Sequence, residues 1–223
     1  MLSAVSRGAS SPRTTSKKGV LTMVTGLRPE TFTKLQLNAG LFLKGFDWAS
    51  ATDAAALKTA IASFIQTGEG VVGATQGGGT FVCTPTIRQI EADGMRAPFV
   101  GSTVNDGWTV KLTGTMKEIT PENFADALIS ADVTDESSGK VHKVRIRTDI
   151  KSTDYIEKFC WIGDTSKGFV LIELENALNI AGATFTFTDK GEGTIPFEFQ
   201  GHQSNALQQE YAPCTLVFFD PAA

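Results

Sequence analysis

Past Met23 the apolar and polar positions alternate with a period of two over most of the chain. Leu35, Leu37, Ala39, Leu41 and Leu43 alternate with Lys34, Gln36, Asn38 and Phe42, which predicts a strand with one strongly apolar face, interrupted by Gly40. Trp108, Val110, Leu112, Gly114 and Met116 share one face of a second strand, and Thr109, Lys111, Thr113, Thr115 and Lys117 take the other. Val144, Ile146, Thr148 and Ile150 oppose Lys143, Arg145, Arg147 and Asp149. Ala183, Phe185 and Phe187 oppose Thr184, Thr186 and Thr188, while Ile195, Phe197 and Phe199 oppose Thr194, Glu198 and Gln200. A last strand runs through Thr215 to Phe219. β-Branched and aromatic residues dominate, as a half-buried pleated surface favours.

Turn chemistry falls between these runs. Asp93-Gly94, Asn105-Asp106-Gly107 and Gly191-Glu192-Gly193 supply residues that tolerate the positive φ of tight turns. Pro196 sits inside an otherwise good strand and belongs at an edge or bulge, because it cannot donate to a ladder. Two short amphipathic helices interrupt the strands. Asp53 caps the first, which runs through Leu57, Ile61 and Phe64 to Gly68. Thr120 caps the second, Pro121 takes its first position, and Ile119 can staple onto Phe124, with Leu128 and Ala131 on the same side. The sum predicts a mainly β fold of two packed antiparallel sheets, a sandwich or barrel, with flanking helices. It reads as one domain over 23–223 with a helical insertion at about 45–70.

Composition agrees with a packed core: of 223 residues, 41% are apolar and 20% charged, with 15 Phe. No apolar stretch approaches the ~20 residues of a bilayer-spanning helix. The net charge of −4 hides an asymmetry. Residues 1–22 carry Arg7, Arg13, Lys17 and Lys18 and no acid, which leaves 16 basic against 24 acidic residues in the remainder. This start reads as a flexible basic arm, or as upstream sequence ahead of a second start at Met23. It lacks the periodicity of a targeting helix. The acidic remainder has little to offer phosphates non-specifically, since nucleic-acid binding works by neutralising them with Lys and Arg.

Catalytic chemistry is thin. Three cysteines (Cys83, Cys160, Cys214), an odd number without CxxC spacing, argue against a disulfide framework and against a zinc site. The run Gly73-Ala74-Thr75-Gln76-Gly77-Gly78-Gly79-Thr80 nearly spells a phosphate loop, but Gly79 replaces the lysine and the sequence that follows reads as a strand. Glu173 and Glu175 can share a strand face, a solvated one by default and a glycosidase pair only as a remote alternative. Cys160 and His142 are a nucleophile and a base that nothing in the sequence brings together. No metal-ligand spacing and no cofactor motif appears, and the chain reads as a non-enzyme. The basic cluster Lys143, Arg145, Arg147, flanked by Lys140 and Lys151, is interleaved with Val and Ile rather than stacking aromatics. It suits a solvated, ion-paired face or an intersubunit contact.

Several words of the sequence, in this order, resemble the tail tube (major tail) proteins of long-tailed phages and prophages of Gram-positive bacteria. They are Leu35-Gln36-Leu37-Asn38-Ala39-Gly40, the Gly73 to Phe81 run, Arg88, Ile90-Glu91 and Asp93-Gly94, then Glu118-Ile119-Thr120-Pro121-Glu122-Asn123 and Pro196-Phe197-Glu198-Phe199. The resemblance spans about Thr31 to Asp220, and the segment before Met23 departs from the family pattern. It implies a structural subunit of the virion tail, assembled in the bacterial host cytoplasm. Six copies close into a ring, and rings stack into a tube whose lumen conducts DNA during ejection. The implied partners are the chain itself, the tape measure and tail terminator proteins, and DNA in passage only; no membrane anchoring and no cofactor are implied. On this reading the 45–70 insertion docks on a neighbour through Phe46, Trp48, Leu57 and Phe64, or else its helix covers its own sheet. The lumen wall falls to Thr-bearing faces with Thr109, Thr113, Thr184 and Thr186. The rival reading is a monomeric β-sandwich module binding carbohydrate or a receptor, which needs exposed aromatics. Of the tryptophans Trp48, Trp108 and Trp161, Trp108 stands on an apolar face and is expected to be buried. An outer-membrane barrel fits the two helices poorly.

Overall fold

The computed structural model describes residues 35–36, 38–204 and 210–221. The arm over 1–22, Met23, and Lys34 and Leu37 of the first predicted strand lie outside the described residues. In chain order the elements are β1 (Leu41–Lys44), α1 (Ala54–Thr67), β2 (Thr75–Gln89), β3 (Thr103–Met116), α2 (Pro121–Ala127), β4 (Ala131–Glu136), β5 (Val141–Ile146), β6 (Ile156–Asp164), β7 (Phe169–Asn179), β8 (Ile195–Gln200) and β9 (Cys214–Phe219). The chain is mainly β, as its periodicity predicts.

One antiparallel sheet runs β1-β6-β7-β8-β3-β2, with β9 also on β7, and β4-β5 form a separate hairpin. β7 holds two different neighbours along one edge. Its first half, Phe169 to Leu174, pairs with β9, and its end, Leu178 and Asn179, pairs with β8. Between the two ladders Asn176 takes φ 44°, a left-handed conformation that Asn tolerates better than most residues. Its Nδ2 donates to the His202 carbonyl at 3.1 Å. A strand that bends at such a point can leave one sheet and enter another, which is how sandwich corners are made. The sheet therefore folds on itself into two layers, β1-β6-β7-β9 and β8-β3-β2.

Four phenylalanines close the space between the layers. Phe42 of β1 and Phe159 of β6 face Phe197 and Phe199 of β8, with ring centroids 5.1 Å apart for Phe42–Phe197 and 4.3 Å for Phe159–Phe199. Val110, Leu112 and Met116 of β3 and Ile172 and Leu174 of β7 complete this core. Gly79 is required here: a Cβ would lie 2.8 Å from Cζ of Phe42. α1 covers the other face of the first layer, burying Leu43, Phe46, Leu57, Cys160, Ile162, Leu171 and Phe219 in a second core. Its signals act as predicted, with Asp53 Oδ1 accepting from Ala56 N at 2.8 Å and Gly68 ending the helix at φ 72°. α2 is held by two buried amides. Asn123 Nδ2 donates to the carbonyls of Val72 and Glu118, and Asn179 Nδ2 donates to the Ala127 carbonyl at 2.7 Å.

Several expectations are corrected. β1 is short, because Gly40 at φ 75° breaks the run and, among the described residues upstream, only Gln36 forms a bridge, to Thr165. Phe42, placed on the polar face by alternation, is fully buried, since helix and second layer cover both faces of β1. Asn105-Asp106-Gly107 is not a turn: it lies inside β3, where Asp106 is the extra residue of a bulge and pairs with Arg88 at 2.8 Å. The residues that favour turns also favour bulges. The stretch 183–188 forms no strand beyond the bridge Thr186 to Thr194, as β8 already has β3 along one side. α2 stops at Ala127, and Ala131 opens β4 instead. β5 ends at Ile146, whose side chain is exposed, as is that of Ile150. Pro196 does sit at an edge, for β7 reaches β8 only at Phe199 and Gln200.

Because the bend needs positive φ at one residue, replacing Asn176 with valine should cost about 1–2 kcal/mol, while Asn176→Gly should cost less. Urea unfolding of the two variants checks this order, and equal losses would refute the account of the bend.

Candidate functional site

The second layer, β8-β3-β2, is buried on one face only. Directly opposed residues of an antiparallel pair share a face, so the register places Thr80 beside Thr113, Val82 beside Lys111 and Thr84 beside Thr109. On the far side Thr113 stands beside Glu198, Lys111 beside Gln200 and Thr115 beside Pro196. None of these side chains is buried. The face is a field of threonine hydroxyls crossed by the ion pair Lys111 Nζ to Glu198 Oε1 at 2.7 Å, with Lys117 at its end paired to Glu192 at 2.9 Å, so its lysines are matched by carboxylates. Of the four residues predicted for a lumen wall, Thr109 and Thr113 lie on it. Thr184 lines a groove at its rim with Gly77, Gly79, Thr113 and Glu198. Thr186 lies off the sheet, in the connection to β8, bridged to Thr194.

β2 and β3 continue well past this layer as a projecting hairpin, and from Gly73 to Thr109 no residue is buried. Its connection turns at Asp93-Gly94, with Met95 N donating to the Ala92 carbonyl. Ile87, Ile90, Phe99 and Val100 are exposed along it. Trp108 is 46% exposed, which corrects its expected burial: it shares a face with Val110 but stands beyond the reach of the opposing layer. The Gly77-Gly78-Gly79 run lies within β2, with Gly77 and Gly78 at φ 78° and 73° in a bulge. No helix N-terminus follows it, so the anion-binding geometry of a phosphate loop is missing.

The residues predicted for contacts with a neighbour are largely engaged within the chain. Leu57 is fully buried and Phe46 nearly so, and Phe64 packs edge-on to Phe46 at 5.3 Å. The helix thus covers its own sheet, the alternative the sequence left open. Lys143 pairs with Glu136 at 2.6 Å. Arg147 is mostly buried, with Nε 2.9 Å from Asp132 and Nη2 on Asp154, and it fastens the β4-β5 hairpin to the turn at Ser152–Asp154. Arg145 stays exposed, opposite Asp132 in the register.

Trp48 has a partner that alternation does not reveal. Its Nε1 donates to Glu173 Oε2 at 2.8 Å, and Glu173 is only 8% exposed, which corrects the solvated face expected for it. Lys158 pairs with the adjacent Asp47 at 2.9 Å, so two polar contacts fix the loop that leads into α1. Burial pushes the Glu173 carboxyl above the usual carboxylate range, with the Trp48 hydrogen bond and the Lys158 charge opposing it. The Cys160 thiol lies 3.7 Å from the same oxygen, and burial pushes it far up, away from a reactive thiolate. His142 is on another sheet, 2.7 Å from Asp135. Cys160 and His142 are therefore not a catalytic pair. Among the described residues no three His, Cys, Asp or Glu side chains are grouped to hold a metal ion.

No family model matches the chain, and no curated protein matches it.

A carboxyl raised in the folded state stabilises the fold below its unfolded pKa, and that contribution is lost as pH rises through the folded pKa. Glu173→Gln keeps an acceptor for Trp48 and removes the buried charge. The wild type should therefore lose stability relative to this variant as pH rises above the ordinary glutamate range, through the raised folded-state pKa. Parallel thermal melts across that rise in pH test it, and a constant difference would refute the burial of an ionising group.

Proposed function

We propose that this chain is a non-enzymatic structural subunit of the tail tube of a long-tailed phage or prophage. Copies join into six-membered rings, and the rings stack around a channel that passes DNA. The observation that carries the reading is the second layer, apolar within and hydroxyl-lined without, with no fixed charge to spare on its open face. Such a face suits a wetted wall. A conduit for DNA works best without cations that grip phosphates, because each neutralised phosphate adds to binding.

The edges support the same reading. β2 is 15 residues long and, among the described residues, has a strand neighbour on one side only. A long unpaired edge templates pairing with another chain. Closing a ring by edge pairing removes that hazard, provided that the rotation between copies closes. Stacking of rings on one another, tape measure and tail terminator proteins as partners, and residence in the virion tail after assembly in the host cytoplasm are what the resemblance in motif order implies.

Trp108 favours a second reading. It projects with Phe99 from the exposed hairpin, where a monomeric sandwich would offer aromatic faces to a carbohydrate or receptor.

Size-exclusion chromatography with negative-stain microscopy separates the two. Rings or tubes are expected, whereas a persistent 24 kDa species at high concentration overturns the tube reading. In assembled particles Thr113→Lys should leave tube length unchanged and slow DNA release, because it sets a second cation beside Lys111 on the open face. Unaltered release would remove that face from the lumen.

A further inference from the structure

Cys83 lies in the middle of β2 and Cys214 opens β9, in different layers of the sandwich. Cys83 is paired in register with Val110, which faces the core between the layers. The Val110 carbonyl accepts from Gly201 N at 3.0 Å. A Cβ on Gly201 would lie 2.6 Å from the carbonyl oxygen of Pro213, so the Gly201 backbone touches the residue immediately before Cys214. Cys214, opposite Leu174, packs against the same core from the first layer. The path from Cys83 through Val110, Gly201 and Pro213 thus ends at Cys214, and Cys83 is one of the neighbours that raise the Cys214 thiol. Among the described residues both strands are edges here, since β2 has only β3 and β9 has only β7 as a strand neighbour.

We propose that Cys83 and Cys214 form a dithiol pair that closes to a disulfide under a peroxide-class oxidant, tying the edge of one layer to the edge of the other. Cys83 is exposed and is the sulfur an oxidant reaches first. Its thiolate attacks one peroxide oxygen, the O–O bond breaks, and the departing hydroxide takes up the thiol proton and leaves as water. The Cys83 sulfenic acid is then attacked by the Cys214 sulfur. The S–O bond breaks, and a second water leaves with the Cys214 proton. Two thiols and one peroxide give one disulfide and two waters.

Cys160 takes no part. It lies on the opposite face of the first layer, fully buried under α1. The odd cysteine count, which in sequence speaks against pairing, therefore divides into one pair and one inert thiol. Burial pushes the Cys214 thiol up to about 11, so the exposed Cys83 rather than Cys214 is the sulfur that meets the oxidant. The bond would close a loop of more than 100 residues, the long-loop case in which cross-links constrain the unfolded chain most.

The test treats the full chain with hydrogen peroxide and maps cysteine peptides without reduction. The expected product is a Cys83–Cys214 cross-link with loss of two hydrogens, Cys160 remaining free to alkylate after unfolding. The melting temperature should rise by about 5–10 °C on oxidation and fall back with dithiothreitol. In Cys214→Ser the rise should vanish, and Cys83 should run on to sulfinic acid. A Cys83–Cys83 link between chains, a link to Cys160, or an undiminished rise in Cys214→Ser would each overturn the proposal.

Discussion

The structure depends on one bent strand. β7 spends its first half beside β9 and its end beside β8, and the left-handed conformation of Asn176 lies between these two allegiances. Without that bend the large sheet would have two apolar faces and nothing to cover one of them but α1. With it, β8 swings Phe197 and Phe199 onto Phe42 and Phe159, and a single sheet supplies both walls of its own core. Aromatic contacts at these separations add to the burial of the rings themselves. The bend also decides which face of the second layer is left outside.

That outer face and the projecting hairpin are the two surfaces the fold leaves unfinished, and they differ in kind. The face is hydroxyl-rich, and its lysines are paired with carboxylates. The hairpin carries scattered apolar side chains and a bidentate Arg88–Asp106 pair that stiffens its bulge. Water satisfies the first without help. The second exposes Ile87, Phe99 and Trp108 in a segment with no core of its own, an arrangement that partners usually cover. On the proposed reading, the first would line a space and the second would meet a neighbour.

The insertion at 45–70 shows how polar contacts inside the chain can look like contacts for a partner. Phe46, Leu57 and Phe64 form a roof over β6 and β7, and the loop before α1 is fixed by Trp48 on Glu173 and Asp47 on Lys158. Arg147, part of a basic strand face in sequence, is spent on two aspartates of its own chain. Lys143 and Arg145 of that cluster stay exposed, Lys143 paired with Glu136.

Local chemistry was enough for much of this. Capping by Asp53 and Thr120, the stop at Gly68, the alternation of β3 and β8 and the edge position of Pro196 all follow from backbone geometry within a few residues, and each is found as predicted. The Thr-bearing face of β3 was legible for the same reason, since alternation fixes which residues share a side. Long-range packing decided the rest. Phe42 is buried because two separate elements cover β1, Trp108 is exposed because the opposing layer ends before it, and Glu173 is buried because a tryptophan 125 residues away reaches it. Period and propensity report the side of a strand a residue occupies; only the folded chain determines what, if anything, lies against that side.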